Sequence, residues 1–112
     1  MGLNVFSKRE RIRRRADFLR MIREGRKSQT EHFLVSFRPN LLPHCRLGIT
    51  VGKRVGPAFV RNRLKRRIRE FFRQNKILFP KTTDCVVAAK EGAGSLNFWE
   101  MANELKGVLE ER

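Results

Sequence analysis

Residues 46–69 have the sequence RLGITVGKRVGPAFVRNRLKRRIR, which predicts a strand, a loop and the start of a helix. Apolar residues occupy every second position from Leu47 to Val51, as in a strand with one buried face. Gly56-Pro57 then predicts the start of a helix that runs to about Asn75, because proline at the first helical position already has a helical φ angle. This segment therefore predicts a strand that passes through a glycine-containing loop into a long helix.

The predicted helix has two chemically different sides. At 3.6 residues per turn its large apolar residues form one stripe about 120° wide, which suits packing on a sheet. The stripe consists of Val60, Leu64, Ile68, Phe71 and Phe72. Basic residues fill most of the remaining surface, and Glu70 is the only acid available for pairing with Arg66, Arg67 or Arg73. Arginine predominates, and its guanidinium binds phosphate through two parallel hydrogen bonds. A polyanion-binding surface is thus predicted, and a merely solvated helix face is the alternative.

The loop before this helix also suggests an anion. Gly52 and Gly56 allow close approach of the backbone, and the N-terminus of a helix attracts negative charge. The spacing GxxxxGK[ST] of a nucleotide-binding loop is absent. A phosphate of a nucleic acid is therefore the expected ligand.

The composition agrees with a nucleic-acid partner. The 112 residues include 26 Lys+Arg and 11 Asp+Glu, a net charge of +15. Basic residues concentrate at 8–15 and 61–73, whereas acids predominate after residue 92. A hydrophobic fraction of 40% predicts a folded chain. We expect one domain, residues 1–112, with residues 1–15 as a basic tail that is extended or only partly ordered.

The sequence lacks the patterns of secretion, membrane insertion, zinc binding and catalysis. No apolar stretch has the length of a signal peptide or membrane span, so we expect a cytoplasmic protein without a membrane partner. Cys45 and Cys85 are expected to be reduced thiols in or near the core. No zinc-ligand spacing is present, and we assign no catalytic residue, because Asp17 and Asp84 are far apart in sequence.

The remaining segments complete an α+β sandwich. Residues 17–24 predict a short helix ending at Gly25, residues 32–38 and 84–90 predict strands, and Phe98–Glu110 predicts a last helix. In the first of these strands Phe33, Val35 and Phe37 share one face, and Leu34 and Ser36 share the other. Asn97 and Glu100 have the spacing of a capping box. A further strand within 25–40 or 45–55 is left open.

Together, the first helix ending at Gly25, the segment 46–69 and DCVVAAK at 84–90 resemble the bacterial protein subunit of ribonuclease P. The resemblance extends over residues 6–110. It implies the order α-β-β-β-α-β-α with a left-handed β-α-β crossover. It also implies a small basic protein that binds the catalytic RNA subunit and precursor tRNA and needs no protein partner. The RNA subunit and substrate bind the Mg²⁺ used to remove the 5′ leader, and no organic cofactor is expected.

The resemblance also assigns residues. Those expected to bind the RNA subunit are Arg61, Asn62, Arg63, Lys65, Arg66, Arg69 and Arg73. Those expected to bind the leader are Phe18, Ile22, Phe33 and Ser36 as lining, with Lys53, Arg54 and Lys90 as a basic rim. Ile22 and Ser36 stand where the family often has aromatics, and Glu91 stands where a second cation is common. For Phe18 and Phe33 the alternative is ordinary core packing.

Two other functions are alternatives to this one. A protein that cleaves RNA itself would need paired acids, paired histidines or a carboxylate cluster for metal ions, and the sequence predicts none of these. A ribosomal protein, another structured-RNA-binding protein or a DNA-binding protein would use the same basic helix without any role in cleavage. Binding of a single-stranded leader distinguishes the ribonuclease P subunit from these alternatives.

Overall fold

Three helices and four strands follow one another in the order α-β-β-β-α-β-α. The computed structural model describes residues 7–110. The helices are α1 (Arg15–Glu24), α2 (Ala58–Gln74) and α3 (Phe98–Glu110). The strands are β1 (Arg26–Gln29), β2 (Phe33–Pro39), β3 (Arg46–Thr50) and β4 (Thr83–Ala89). Single 3-10 turns occupy Lys8–Glu10, Lys53–Val55, Lys76–Leu78 and Ala93–Ser95. This order confirms the fold class, and the handedness of the crossover stays a prediction.

The four strands form one sheet in the order β1-β2-β4-β3. β2 pairs antiparallel with β1 and β4, whereas β3 pairs parallel with β4, so α2 is the crossover between two adjacent parallel strands. Lys27, Ser36, Val86 and Gly48 are successive partners across the sheet. Because paired residues point to the same side, these four positions form one row on one face.

The main core lies between the sheet and the pair α2 and α3. Four of the five residues in the predicted apolar stripe of α2 are buried, since Leu64, Ile68, Phe71 and Phe72 are each at most 2% exposed, and Val60 is half-buried. The strands contribute Phe33, Val35, Phe37, Leu47, Cys85 and Val87, and α3 contributes Met101, Ala102, Leu105, Val108 and Leu109. Both cysteines are free and buried, as expected. Burial of this apolar surface holds α2 rigidly on the sheet.

Helix α1 covers the opposite face of the sheet. Met21, Ile12 and Val86 form a second, smaller buried cluster, and Phe18 packs partly buried against it. Because α1 is short, it covers only part of this face. The molecule therefore has three layers, of which the α1 layer is incomplete.

Strand β1 is the further strand within 25–40 that the sequence allowed and the family resemblance implied. This strand has the sequence RKSQ, which lacks any apolar alternation. It forms because its backbone pairs with the edge of β2, from Arg26 opposite Phe37 to Gln29 opposite Leu34. Helix α1 starts at Arg15 rather than at Asp17, whereas α3 has the predicted bounds.

The predicted capping box at the start of α3 is confirmed. The backbone N–H of Asn97 donates to Glu100 Oε1 at 2.9 Å. In return, the backbone N–H of Glu100 donates to Asn97 Oδ1 at 2.8 Å. These two bonds satisfy donors that have no partner within the helix itself.

The segment before α1 is attached to the rest of the domain. The backbone N–H of Ile12 donates to the Leu47 carbonyl at 2.9 Å, and the Ile12 side chain is buried. Lys76 Nζ lies 2.8 Å from Glu10 Oε2, which joins this segment to the end of α2. Residues 1–6 of the predicted tail lie outside the described residues.

Candidate nucleic-acid interface

The side of α2 that faces away from the sheet presents unpaired cations. Asn62, Arg66 and Arg69 are exposed, and within residues 7–110 no side-chain hydrogen bond or ion pair involves them. Lys65 is half-buried and likewise has no such partner in that range. Because the apolar stripe fixes the helix on the sheet, these groups project from a rigid support toward solvent.

Three other arginines of α2 are oriented by backbone carbonyls. Arg61 Nε donates to Gly56 O at 3.1 Å, Arg63 Nη2 to Gly94 O at 3.3 Å and Arg67 Nη1 to Leu96 O at 2.9 Å. Each guanidinium has five N–H donors, so these single bonds orient the group and leave donors for phosphate. Arg61 and Arg63 therefore flank Asn62 in fixed positions. Arg67 was not among the predicted contacts. Its orientation depends on the Leu96 carbonyl, which is 29 residues away in sequence.

Arg73 differs from the other predicted RNA contacts because its charge is paired. Arg73 Nε donates to Glu70 Oε1 at 2.8 Å, and Gln74 Nε2 donates to Glu70 Oε2 at 2.8 Å. The hydrogen bond from Arg73 lowers the pKa of Glu70, and the same bond raises the pKa of Arg73. Since Glu70 neutralises it locally, Arg73 contributes less positive potential than Arg66 or Arg69.

On the α1 face, three of the predicted lining residues lie together. Phe18 is half-buried against Gly48 and Val86. Ile22, one helical turn later, is 61% exposed. Ser36 is 6% exposed and lies beneath Gly25, whose added methyl group would come 3.3 Å from Ser36 Cβ. The surface available to a ligand is thus made by Phe18 and Ile22, and Ser36 contributes little area.

Phe33 does not join this surface. Its side chain is 0% exposed and belongs to the core between the sheet and the other two helices. Side chains alternate along a strand, so Phe33 and Ser36, three positions apart, point to opposite faces. The assignment of Phe33 to the lining is therefore corrected: Phe33 is a core residue.

The predicted basic rim surrounds a cleft at one end of the sheet. Its volume is about 470 Å³. Its lining consists of Thr50, Gly52, Lys53, Arg54, Val55, Ala89, Lys90 and Glu91. Lys90 is held in place, because its Nζ donates to Gln29 Oε1 and to the Thr30 carbonyl, both at 2.7 Å. Lys53 and Arg54 are exposed.

A groove that was not predicted is lined by residues of both α1 and α2. It has a volume of about 210 Å³ and an apolar floor that includes Phe18. Three arginines contribute to its lining: Arg69 of α2, and Arg11 and Arg13 of the segment before α1. The high charge of residues 8–15 was a signal for such a role, but its location depends on the long-range bridge between Arg11 and Leu47. The groove makes the α2 surface continuous with the α1 face.

Both aspartates of the chain are engaged with one arginine. Arg46 donates to the two carboxylate oxygens of Asp84 at 2.8 and 2.6 Å, and its Nη1 lies 3.6 Å from Asp17 Oδ2. The hydrogen bonds to Asp84 raise the pKa of Arg46 despite its partial burial. Within residues 7–110, no three His, Cys, Asp or Glu side chains are arranged to hold a metal ion. No described helix is long and apolar enough to span a membrane.

Comparison with known proteins identifies the family of this chain. The ribonuclease P family model matches residues 6–112. The ribonuclease P protein component of Citrifermentans bemidjiense is 47% identical over 109 residues, covering 97% of this chain and 93% of that protein. The structure of the ribonuclease P protein from Thermotoga maritima superposes with a TM-score of 0.84 at 40% identity, covering 92% of this chain and 97% of the other. The Staphylococcus aureus ribonuclease P protein gives a TM-score of 0.84 at 35% identity, with 91% and 94% covered. The chain belongs to the ribonuclease P protein family.

Proposed function

We propose that this chain is the protein subunit of ribonuclease P, an endoribonuclease that removes the 5′ leader of precursor tRNA. In this proposal α2 binds the catalytic RNA subunit and the α1 face binds the leader. The observation that carries it is the continuity of the two surfaces: the groove lined by Arg69 and Phe18 joins the unpaired cations of α2 to the open part of the α1 face. One RNA assembly can therefore contact both.

The contact with the RNA subunit rests on the charge of α2. Arg66 and Arg69 have no acidic partner within residues 7–110, so each is free to displace a counterion from a phosphate. Arg61 and Arg63, held by backbone carbonyls, orient their remaining donors on either side of Asn62. Asn62 is suited to a base edge or a ribose hydroxyl, while its neighbours bind phosphate.

The contact with the leader rests on an apolar floor beside cations. Phe18 and Ile22 offer surface on which unpaired bases stack or pack without sequence preference. Lys53, Arg54 and Lys90 line a cleft at the end of the sheet, where they can contact the phosphates of the leader. Ile22 provides apolar contact without an aromatic face, so we expect Phe18 to supply most of the stacking.

In this proposal the RNA subunit catalyses the cleavage. Asp17 and Asp84 are paired with Arg46, and the described residues present no cluster of metal ligands. The proposal therefore assigns Mg²⁺ to the RNA subunit and the substrate, and binding and orientation to the protein. It also places the protein in the cytoplasm together with precursor tRNA.

The test is reconstitution with a ribonuclease P RNA subunit at low Mg²⁺. We expect the protein to restore cleavage of precursor tRNA by the RNA and to produce no cleavage when added alone. A protein that binds the RNA without restoring cleavage would instead be a structured-RNA-binding protein of another kind. A protein that cleaves by itself would contradict the assignment of catalysis to the RNA.

A second arm of the same experiment tests the leader surface. Phe18→Ala should weaken holoenzyme binding to precursor tRNA about tenfold, because a stacked base is worth roughly 1–3 kcal/mol, and should leave mature tRNA nearly unaffected. Leu19→Ala is the matched control, since Leu19 is the next residue of α1 and is 44% exposed. Equal losses for both tRNAs would return Phe18 to a purely structural role.

A further inference from the structure

Helix α2 carries one large apolar side chain that does not belong to its buried stripe. Phe59, the second residue of the helix, is 69% exposed. The other large apolar residues of α2 face the core, and four of them are almost completely buried. A single exposed apolar residue is common on protein surfaces, so the surroundings of Phe59 decide its meaning.

Those surroundings are polar and cationic. Positions 62, 63 and 66 lie three, four and seven residues after Phe59, on the same side of the helix. They are occupied by Asn62, Arg63 and Arg66. Arg63 is oriented by its bond to the Gly94 carbonyl, and Arg66 is exposed without a partner in residues 7–110. The single acid of the helix, Glu70, lies further along and is paired with Arg73.

An exposed ring beside two arginines that have no acidic partner within residues 7–110 has the chemistry of a base-stacking site. The flat face of phenylalanine stacks on any nucleobase, while neighbouring guanidinium groups bind the phosphates on either side. An arginine also stacks on a base or on the ring itself. Few ligands other than a nucleic acid present both a flat apolar face for the ring and negative charge for the neighbouring arginines.

We propose that Phe59 stacks on an unpaired base of the catalytic RNA subunit, and so extends the α2 contact beyond its phosphates. This inference rests on the proposed function. The RNA subunit is chosen over the leader because Phe59 lies on α2, whereas the apolar floor for the leader lies on the α1 face. Phe59 thereby adds a binding contact that does not depend on charge.

The test measures the dissociation constant of the RNA subunit for wild type, Phe59→Ala, Phe59→Leu and Phe59→Tyr over a range of salt concentrations. We expect affinity to fall about tenfold for Phe59→Ala, to fall nearly as far for Phe59→Leu, and to stay near wild type for Phe59→Tyr. Stacking releases no counterions, so the salt slope should be unchanged in all three. Thermal unfolding should also be unchanged, because the side chain is exposed.

Ile77→Ala is the matched control, because Ile77 is 95% exposed just after α2 and its loss removes apolar area of a similar kind. It should bind the RNA subunit as wild type does. If Phe59→Leu binds as tightly as wild type, or if Ile77→Ala loses as much affinity as Phe59→Ala, the stacking assignment is wrong. A change in the ratio of precursor to mature tRNA affinity for Phe59→Ala would place the base in the leader and overturn the choice of the RNA subunit. Wild-type protein that fails to bind the RNA would instead overturn the proposed function.

Discussion

The ring of Phe18 lies directly on the backbone of Gly48. A methyl group added at residue 48 would come within 2.8 Å of Phe18 Cζ, closer than such carbon atoms approach in folded proteins. The ring therefore reaches the surface of the sheet, where it packs beside Val86 with part of its area still accessible. Phe18 thus packs on the sheet and also lines the groove that contains Arg69, while its role in leader binding stays a prediction.

Gly48→Ala should displace the Phe18 ring. We expect it to lower the free energy of unfolding by about 1–3 kcal/mol, because the added methyl group overpacks this contact. We also expect it to reduce the preference of the holoenzyme for precursor over mature tRNA. Urea unfolding and tRNA binding provide the two measurements. Gly52→Ala is the control for stability, since nothing lies within 4 Å of its added methyl group. An unchanged stability for Gly48→Ala would show that the ring moves aside freely.

Phe33→Leu should separate the core role of Phe33 from leader binding. It keeps an apolar side chain in the core, so we expect a loss of about 1 kcal/mol in stability and no change in the ratio of precursor to mature tRNA affinity. Ile22→Ala, on the opposite face and 61% exposed, should do the reverse. A Phe33→Leu protein that binds the leader less well, at unchanged stability, would contradict the placement of Phe33 in the core.

Arg66→Ala and Arg69→Ala should each weaken binding to the RNA subunit and lower the salt slope by roughly one ion. The reason is that each removes one unpaired cation from the outward side of α2. Affinity measured between low and moderate salt gives the slope. Lys81→Ala serves as control, because Lys81 is exposed in the turn before β4. If the arginine variants and the control have the same slope, the outward side of α2 is only a solvated face.

Glu104→Gln should destabilise the fold by an amount that depends on pH. The Glu104 carboxylate of α3 accepts hydrogen bonds from Thr30 Oγ1 at 2.5 Å and from the His32 backbone N–H at 2.6 Å, and its Oε2 lies 2.9 Å from His32 Nδ1. Burial alone would raise the pKa of Glu104, but the bonds from Thr30 and His32 outweigh it and lower the pKa. The carboxylate therefore stabilises the fold above its unfolded pKa, and this stabilisation is lost as pH falls through the folded pKa.

At neutral pH we accordingly expect Glu104→Gln to reduce the free energy of unfolding by about 1.5–3 kcal/mol, a typical value for hydrogen bonds to a charged group. The difference from wild type should shrink in acid, where Glu104 itself is protonated. Urea unfolding at a series of pH values measures this. Glu110→Gln, on an exposed position of the same helix, should have little effect at any pH. A difference that persists unchanged into acid would mean that the charge of Glu104 is unimportant.

The sequence by itself determined most of the elements and their chemistry. Helix periodicity separated the buried stripe of α2 from its basic side, and strand alternation placed Phe33 and Ser36 on opposite faces. These are local properties, because side-chain direction repeats every 3.6 or 2 residues whatever the rest of the chain does. The family resemblance assigned Phe33 and Ser36 to the same leader-binding lining, whereas strand alternation places them on opposite faces of the sheet. The structure confirms the alternation.

Only the tertiary structure decided which of these surfaces meet. Strand β1 has no hydrophobic alternation of its own and forms because its backbone pairs with the edge of β2. Arg11 and Arg69 line one groove because the segment before α1 bridges to Leu47, and the two aspartates meet at Arg46 through pairings between distant segments. Such contacts depend on strand register and layer packing, which join residues far apart in sequence and leave no periodic signal along the chain.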